Sequence, residues 1–168
     1  MMSINDLFKK ANNLFGEKKY FAGLEIYKDI WLKYPLNTRL YEEITKKIKI
    51  YKKQIVPSFS NIEIEEFFKL EKQGSVSIVL NKLTQFLEKN KEDVLTISLL
   101  GKFWELSGVY EKATYYHKLS VEKAPFEVAF YLNFSNSLRQ SNKLEEALNV
   151  LKLAKVLDLK EIIIDYEI

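Results

Sequence analysis

The side chains that could do chemistry are few in this sequence, and their spacing suits little chemistry. There is one histidine, His117, and no cysteine among the 168 residues, whereas a zinc site takes several such ligands. Acidic pairs such as Glu42–Glu43 and Glu145–Glu146 are adjacent in sequence, and adjacent residues on a helix diverge by about 100°. No glycine-rich phosphate loop or nucleophile elbow is present. We therefore expect no catalytic residue, no metal site and no cofactor, and a chain that is not an enzyme.

Composition narrows the class of protein further. Hydrophobic residues make up 47% of the chain, with only five glycines and three prolines, which favours long helices over a turn-rich β protein. No stretch approaches the roughly 20 apolar residues of a membrane span. The net charge is +3, with 24 lysines and two arginines, whereas nucleic-acid readers favour arginine. We expect a cytoplasmic protein that binds neither nucleic acid nor a membrane.

A spacing of twelve residues between small side chains recurs along the chain. Three pairs share it: Ala11 with Gly23, Gly101 with Ala113, and Ser135 with Ala147. The second and third pairs are offset by 34 residues, and a fixed period of this length is typical of helical repeat arrays. Helix axes approach to about 8–10 Å only where the contact residues are small. Each pair is thus predicted to mark the crossing of two helices.

Turn signals divide the chain into helix pairs. Apolar residues at helical spacing are interrupted at Gly16–Lys19, Gly74–Ser75, Ser107–Gly108 and Ser141–Asn142, and turns this short make neighbouring helices antiparallel. Between Thr38 and Phe59 an extra apolar stripe predicts an inserted helix, capped by Asn37 or Thr38. The predicted units are 1–37 (first), 38–60 (inserted helix and loop), 61–93 (second, degenerate), 94–127 (third), 128–161 (fourth), and 162–168 (a further helix or a truncated end).

The third unit has the fullest motif: Ile97, Leu100–Gly101, Trp104, Ala113, His117 and Pro125. The motif resembles that of the tetratricopeptide repeat family. The resemblance implies an all-α fold, a right-handed α-solenoid of antiparallel helix pairs in which each pair packs on the next along the chain. His117 is then a packed, hydrogen-bonded side chain. In the second unit Phe67 and Val79 replace the small residues, so its helices are expected to lie farther apart or to cross differently.

The same resemblance implies a binding groove, because the first helices of successive units line a concave face in this family. By register, the groove-facing positions here are Asn12, Leu95, Leu99, Lys102, Leu132, Asn133, Asn136 and Arg139. Amides can donate to and accept from a peptide backbone, and Lys102 and Arg139 can hold a carboxylate. The expected function is a non-catalytic protein–protein interaction module that binds a peptide or helix; the alternative is that these side chains are only solvated.

Other readings remain open from the sequence. Because the inserted segment breaks the period, the array can be two blocks, residues 1–55 and 61–168, that meet at the loop 56–60 in a fixed joint or a hinge. The array can instead be the N-terminal, substrate-presenting part of a longer transferase or oxygenase. The apolar segment Ile162–Ile168 can continue into a further helix or mediate self-association. Lys46, Lys47, Lys49, Lys52 and Lys53 crowd the inserted helix, where a solvated lysine face is favoured over binding to an anionic membrane or RNA.

Overall fold

The computed structural model of the chain describes residues 2–52 and 54–158. In these ranges it contains nine α-helices and no β-strand, which confirms the predicted all-α class. The helices are α1 (Ile4–Gly16), α2 (Tyr20–Lys33), α3 (Thr38–Tyr51), α4 (Asn61–Lys72), α5 (Val76–Lys89), α6 (Val94–Leu106), α7 (Tyr110–Lys123), α8 (Val128–Gln140) and α9 (Leu144–Leu157). None of these nine has both the length and the apolar character to cross a membrane. The predictions for Lys53 and for Ile162–Ile168 lie outside the described residues.

Local sequence signals set the ends of these helices. The Ser60 hydroxyl accepts a hydrogen bond from the Glu63 amide at 3.3 Å, while the Glu63 carboxylate accepts from the Ser60 amide at 2.9 Å. Asn37 Oδ1 accepts from the backbone amide at the third helical position of α3, as predicted. Gly108 and Asn142 have φ of +75° and +60°, a left-handed conformation that glycine and asparagine tolerate and that ends a helix.

The small residues lie where paired helices meet, and they make room for larger partners. The Ser135 hydroxyl donates to the Ala147 carbonyl at 3.0 Å, which confirms that crossing. A Cβ added to Gly23 would lie 2.9 Å from the ring of Phe15, and one added to Gly101 would lie 2.6 Å from the imidazole of His117. Phe15 lies one helical turn after Ala11, and His117 lies one helical turn after Ala113. Each glycine therefore makes room for a ring that comes one turn after its small partner residue.

The second, third and fourth pairs pack on one another along the chain through α5–α6 and α7–α8 contacts. The α4–α5 pair packs less closely than the other three pairs, in agreement with the large side chains at its crossing. The first pair departs from this order, because α2 and α3 both pack on α9. The prediction that each pair packs on the next along the chain is thus wrong for the first pair. The inserted helix α3, which the repeat period does not include, separates that pair from α4.

An aromatic cluster fills the joint between the first pair and the rest of the stack. The Phe126 ring, in the turn before α8, lies 6.1 Å from Phe15, 5.7 Å from Tyr20 and 5.9 Å from Tyr51, measured between centroids. The buried residues accordingly form two apolar clusters. One joins the first pair and α3 to the fourth pair, and the other lies between the second and third pairs.

Polar contacts also connect α2 to α9. The Lys28 ammonium is nearly buried and donates to the Glu25 carboxylate and, at 2.6 Å, to Asn149 Oδ1. Asn149 Nδ2 donates in turn to Glu25 Oε1 at 2.9 Å. Between the end of α3 and the start of α8, Lys52 Nζ lies 3.1 Å from the Glu127 carboxylate. These contacts hold together two segments of opposite charge, because residues 1–60 have twelve basic against six acidic side chains and residues 61–168 have fourteen against seventeen.

Candidate binding face

Three of the predicted groove residues come together across α6 and α8, through a carboxylate that the register did not identify. Asn136 Nδ2 donates to Glu105 Oε1, and Arg139 donates to Asn136 Oδ1 at 2.8 Å. Lys102 Nζ lies 3.7 Å from Glu105 Oε2. We call Lys102, Glu105, Asn136 and Arg139 the α6–α8 network.

Helical spacing explains why these four side chains meet. Lys102 and Glu105 are three residues apart on α6, and Asn136 and Arg139 are three apart on α8, so each pair shares one side of its helix. Glu105 and Asn136 are 31 residues apart, close to the repeat period. Glu105 lies one helical turn after Lys102, on the same side of α6. This spacing is the sequence signal that could have identified Glu105 as part of the face.

The apolar groove positions differ in how much surface they offer. Leu132 is 49% exposed. Leu95 is half-buried, and Leu99, 8% exposed, belongs to the apolar cluster between the second and third pairs. Leu99 therefore packs in the core and leaves little of its side chain for a ligand. Asn133 is half-buried, and its side chain has no hydrogen bond within the described residues.

Asn12 has a separate place in the fold. It lies on α1, in the pair that packs beyond the fourth pair, and its Oδ1 accepts a hydrogen bond from the Tyr27 hydroxyl at 3.4 Å. No hydrogen bond in residues 2–52 and 54–158 joins it to the α6–α8 network. The predicted set thus divides into a polar group on α6 and α8 and an asparagine on α1 that is bonded to α2.

His117 lies beneath the network. Its side chain is fully buried, and its Nε2 is 3.7 Å from Glu105 Oε2. Neither ring nitrogen has a hydrogen-bond partner in the described part of the chain, so the predicted hydrogen bonding is not found. Burial, with a smaller effect of the Lys102 charge, lowers the pKa of His117 to about 4. The imidazole is thus neutral at pH 7, and Lys102 is the cation that balances Glu105.

The network combines an amide, two cations and one carboxylate. Across the described residues, no three His, Asp or Glu side chains lie close enough together to hold a metal ion. Lys102 is partly exposed and Arg139 is exposed, so both can bind an anionic group from solvent. With Glu105 included, this part of the face carries one net positive charge.

Comparison with known proteins adds no family assignment. No family model matches the chain, and no curated protein sequence matches it.

Proposed function

We propose that this chain is a non-catalytic protein-binding module of the tetratricopeptide type, a right-handed solenoid that binds a peptide on the α6–α8 face. The observation that carries the proposal is the α6–α8 network, in which side chains from two successive pairs form one polar surface. A cytoplasmic setting accords with a sequence that has no cysteine.

The exposed groups on this face indicate the kind of peptide. Arg139 and Lys102 can donate charge-assisted hydrogen bonds to a carboxylate, from an acidic side chain or a chain end. Asn133, whose amide has no hydrogen bond to any residue that the structure describes, can bond to an extended backbone, and Leu132 offers apolar surface beside it. The preferred ligand is therefore an extended segment with one acidic group and at least one apolar side chain.

Glu105 prepares the face before the ligand arrives. It binds Asn136 and attracts Lys102, which restricts both side chains in the free protein. Side chains that are already ordered lose less conformational entropy on binding. We expect a dissociation constant in the micromolar range, about −8 kcal/mol, to which a hydrogen bond with a charged donor contributes about 1.5–3 kcal/mol.

Selection from a displayed random-peptide library, followed by fluorescence anisotropy on the enriched peptides, tests the proposal. Arg139→Gln should weaken their binding at least tenfold, and Asn133→Ala with Asn136→Ala should do the same. The matched control is Lys89→Gln, an exposed charge in the last turn of α5, which should leave the affinity unchanged. Equal affinity for the wild type and both groove variants would reject this face as the binding site.

A further inference from the structure

A cleft lies at the joint between α2 and the helices α7, α8 and α9. It consists of two depressions, of about 340 and 430 Å³, that share the side chain of Phe21. We call it the joint cleft. None of the groove positions predicted from the sequence lines it, and it exists only because the first pair packs beyond the fourth.

The floor of the joint cleft is apolar, and Phe21 is its exposed part. Phe21 is 38% exposed and lies where the two depressions meet. Phe134 and Val150 line the larger depression and Val121 and Pro125 the smaller one, but all four are buried and mainly support the position of Phe21. The Phe21 ring therefore favours an apolar side chain of a ligand, because covering it removes apolar surface from water.

The two ends of the cleft have opposite charge. Lys18 and Lys19 line the smaller depression, whereas Glu145 and Glu146 line the larger one. Lys19 lies 2.7 Å from Glu17, but Lys18, Glu145 and Glu146 have no ion pair within the described residues.

Three further polar side chains of the lining, Lys118, Glu122 and Asn149, already have partners. Lys118, in the larger depression, lies 3.9 Å from Glu122, in the smaller one, so this ion pair adds no net charge. Asn149 is bonded to Lys28 and Glu25. The charges left for a ligand are therefore positive at the α1–α2 turn and negative at the start of α9.

We propose that the joint cleft is a second binding site, for a short peptide of a partner protein with acidic residues at one end, apolar residues in the middle and basic residues at the other. The acidic end lies beside Lys18 and Lys19, the apolar residues contact Phe21, and the basic end lies beside Glu145 and Glu146. Complementary charge fixes the orientation of the peptide, and the apolar floor supplies affinity.

Because its walls come from both segments of the chain, the site connects ligand binding to the docking of the first pair. A peptide that contacts Phe21 of α2 together with Glu145 and Glu146 of α9 binds only while these helices are packed together. By linkage, the bound peptide must stabilise that packing. Amide protons of α2 should therefore exchange more slowly in the presence of the peptide.

Synthetic peptides with one shared apolar centre test the site by fluorescence anisotropy on the full chain. The first peptide has acidic residues at one end and basic residues at the other, and it is made in both chain directions. The second has acidic residues at both ends, and the third has basic residues at both ends. The first peptide, in at least one direction, should bind at least tenfold more tightly than the other two.

Charge reversal makes the prediction sharper. Glu145→Lys with Glu146→Lys should shift the preference to the peptide with two acidic ends, and Lys18→Glu with Lys19→Glu should shift it to the one with two basic ends. Circular dichroism verifies that each variant folds, and the second variant preserves the test if the first does not. The parent chain and both charge-reversal variants carry Arg139→Gln, which weakens the α6–α8 face for acidic peptides, so that the measured binding is that of the joint cleft. Lys89→Gln, an exposed charge in the last turn of α5, is the matched control and should leave binding unchanged. Equal affinity for all peptides, or an unaltered preference in a folded variant, would overturn the proposal.

Discussion

The imidazole of His117 lies directly against the backbone of Gly101. A Cβ at position 101 would be 2.6 Å from both Cε1 and Nδ1 of the ring, closer than real Cβ contacts. This one contact accounts for two features of the sequence, the small residue in the middle of α6 and the position of the single histidine. It also fixes the separation of α6 and α7 beneath the α6–α8 network.

Gly101→Ala should destabilise the protein. In an open helix the change would stabilise by about 0.5–1 kcal/mol, but overpacking a buried contact costs about 1–3 kcal/mol. We expect the free energy of unfolding in urea to fall by about 1–2 kcal/mol. The control is Gly16→Ala at the end of α1, where an added Cβ meets nothing within 4 Å, and it should be neutral or slightly stabilising. An equally stable Gly101→Ala protein would contradict the close approach of the ring.

The stability of the protein should fall as the pH falls from about 6.5 to 4. The pKa of His117 is lowered to about 4 in the folded chain, chiefly by burial, whereas an unfolded histidine titrates near 6.5. In that window the unfolded chain binds a proton that the folded chain does not, so protonation favours unfolding. We expect a loss of roughly 2–3 kcal/mol, measured by urea unfolding at several pH values.

A variant and a direct titration separate this effect from other acid-sensitive groups. In His117→Leu, stability should be nearly constant between pH 6.5 and 5. The lowered pKa values of Asp6 and Glu63, caused by hydrogen bonds from Ser3 and Ser60, reduce stability in the same direction but only as those carboxylates protonate at lower pH. An NMR titration that places the pKa of His117 near 6.5 would disprove the explanation.

Local sequence signals were sufficient to locate the helices, but they did not determine how the first pair packs. The turns at Gly108 and Asn142 follow from residue types that tolerate positive φ. The docking of α2 on α9 depends on contacts such as that of Lys28 with Asn149, which are 121 residues apart. No periodic pattern encodes such a pairing.

The candidate site, too, was predicted only in part from the sequence. The repeat register placed Lys102, Asn136 and Arg139 on one face. It did not identify the bond from Asn136 to Glu105, because a register assigns faces to residues and does not specify partners. The sequence did not predict the joint cleft, because the cleft depends on the docking of α2 on α9 and no sequence pattern predicted that docking.

Ser60→Ala should weaken the start of α4. The Ser60 hydroxyl and the Glu63 carboxylate satisfy each other's backbone amides, and loss of such a cap typically costs about 1 kcal/mol. The pKa of Glu63, which hydrogen bonds from the Ser60 backbone and side chain hold below its usual value, should rise in the variant. Urea unfolding and a carboxyl NMR titration measure the two effects. The control is Ser77→Ala, at an exposed position inside α5. If it lowers the free energy of unfolding as much as Ser60→Ala does, the effect of Ser60→Ala does not come from the loss of a helix cap.

Asn149→Ala should loosen the first pair while leaving the rest of the stack intact. The substitution removes one of the two hydrogen-bond acceptors of the nearly buried Lys28 ammonium and one donor to Glu25, and a buried polar group without its partner costs about 1–3 kcal/mol. The cost is confined to contacts between α2 and α9, so it should appear as a local opening reaction. Hydrogen exchange should accelerate for the amides of α2 and remain unchanged for those of α6.

The control for this variant is Asn81→Ala, an exposed asparagine on α5 whose Oδ1 accepts a 3.3 Å bond from Gln85, and it should alter exchange in neither helix. If Asn149→Ala accelerates exchange equally in α2 and α6, the first pair and the other three unfold as one cooperative unit. The joint would then be part of a single core, and ligand binding in the joint cleft could not be linked to separate docking of the first pair. If exchange accelerates in α2 alone, the first pair undocks separately from the other three. The size of the acceleration then measures how strongly Lys28, Glu25 and Asn149 hold the two segments together.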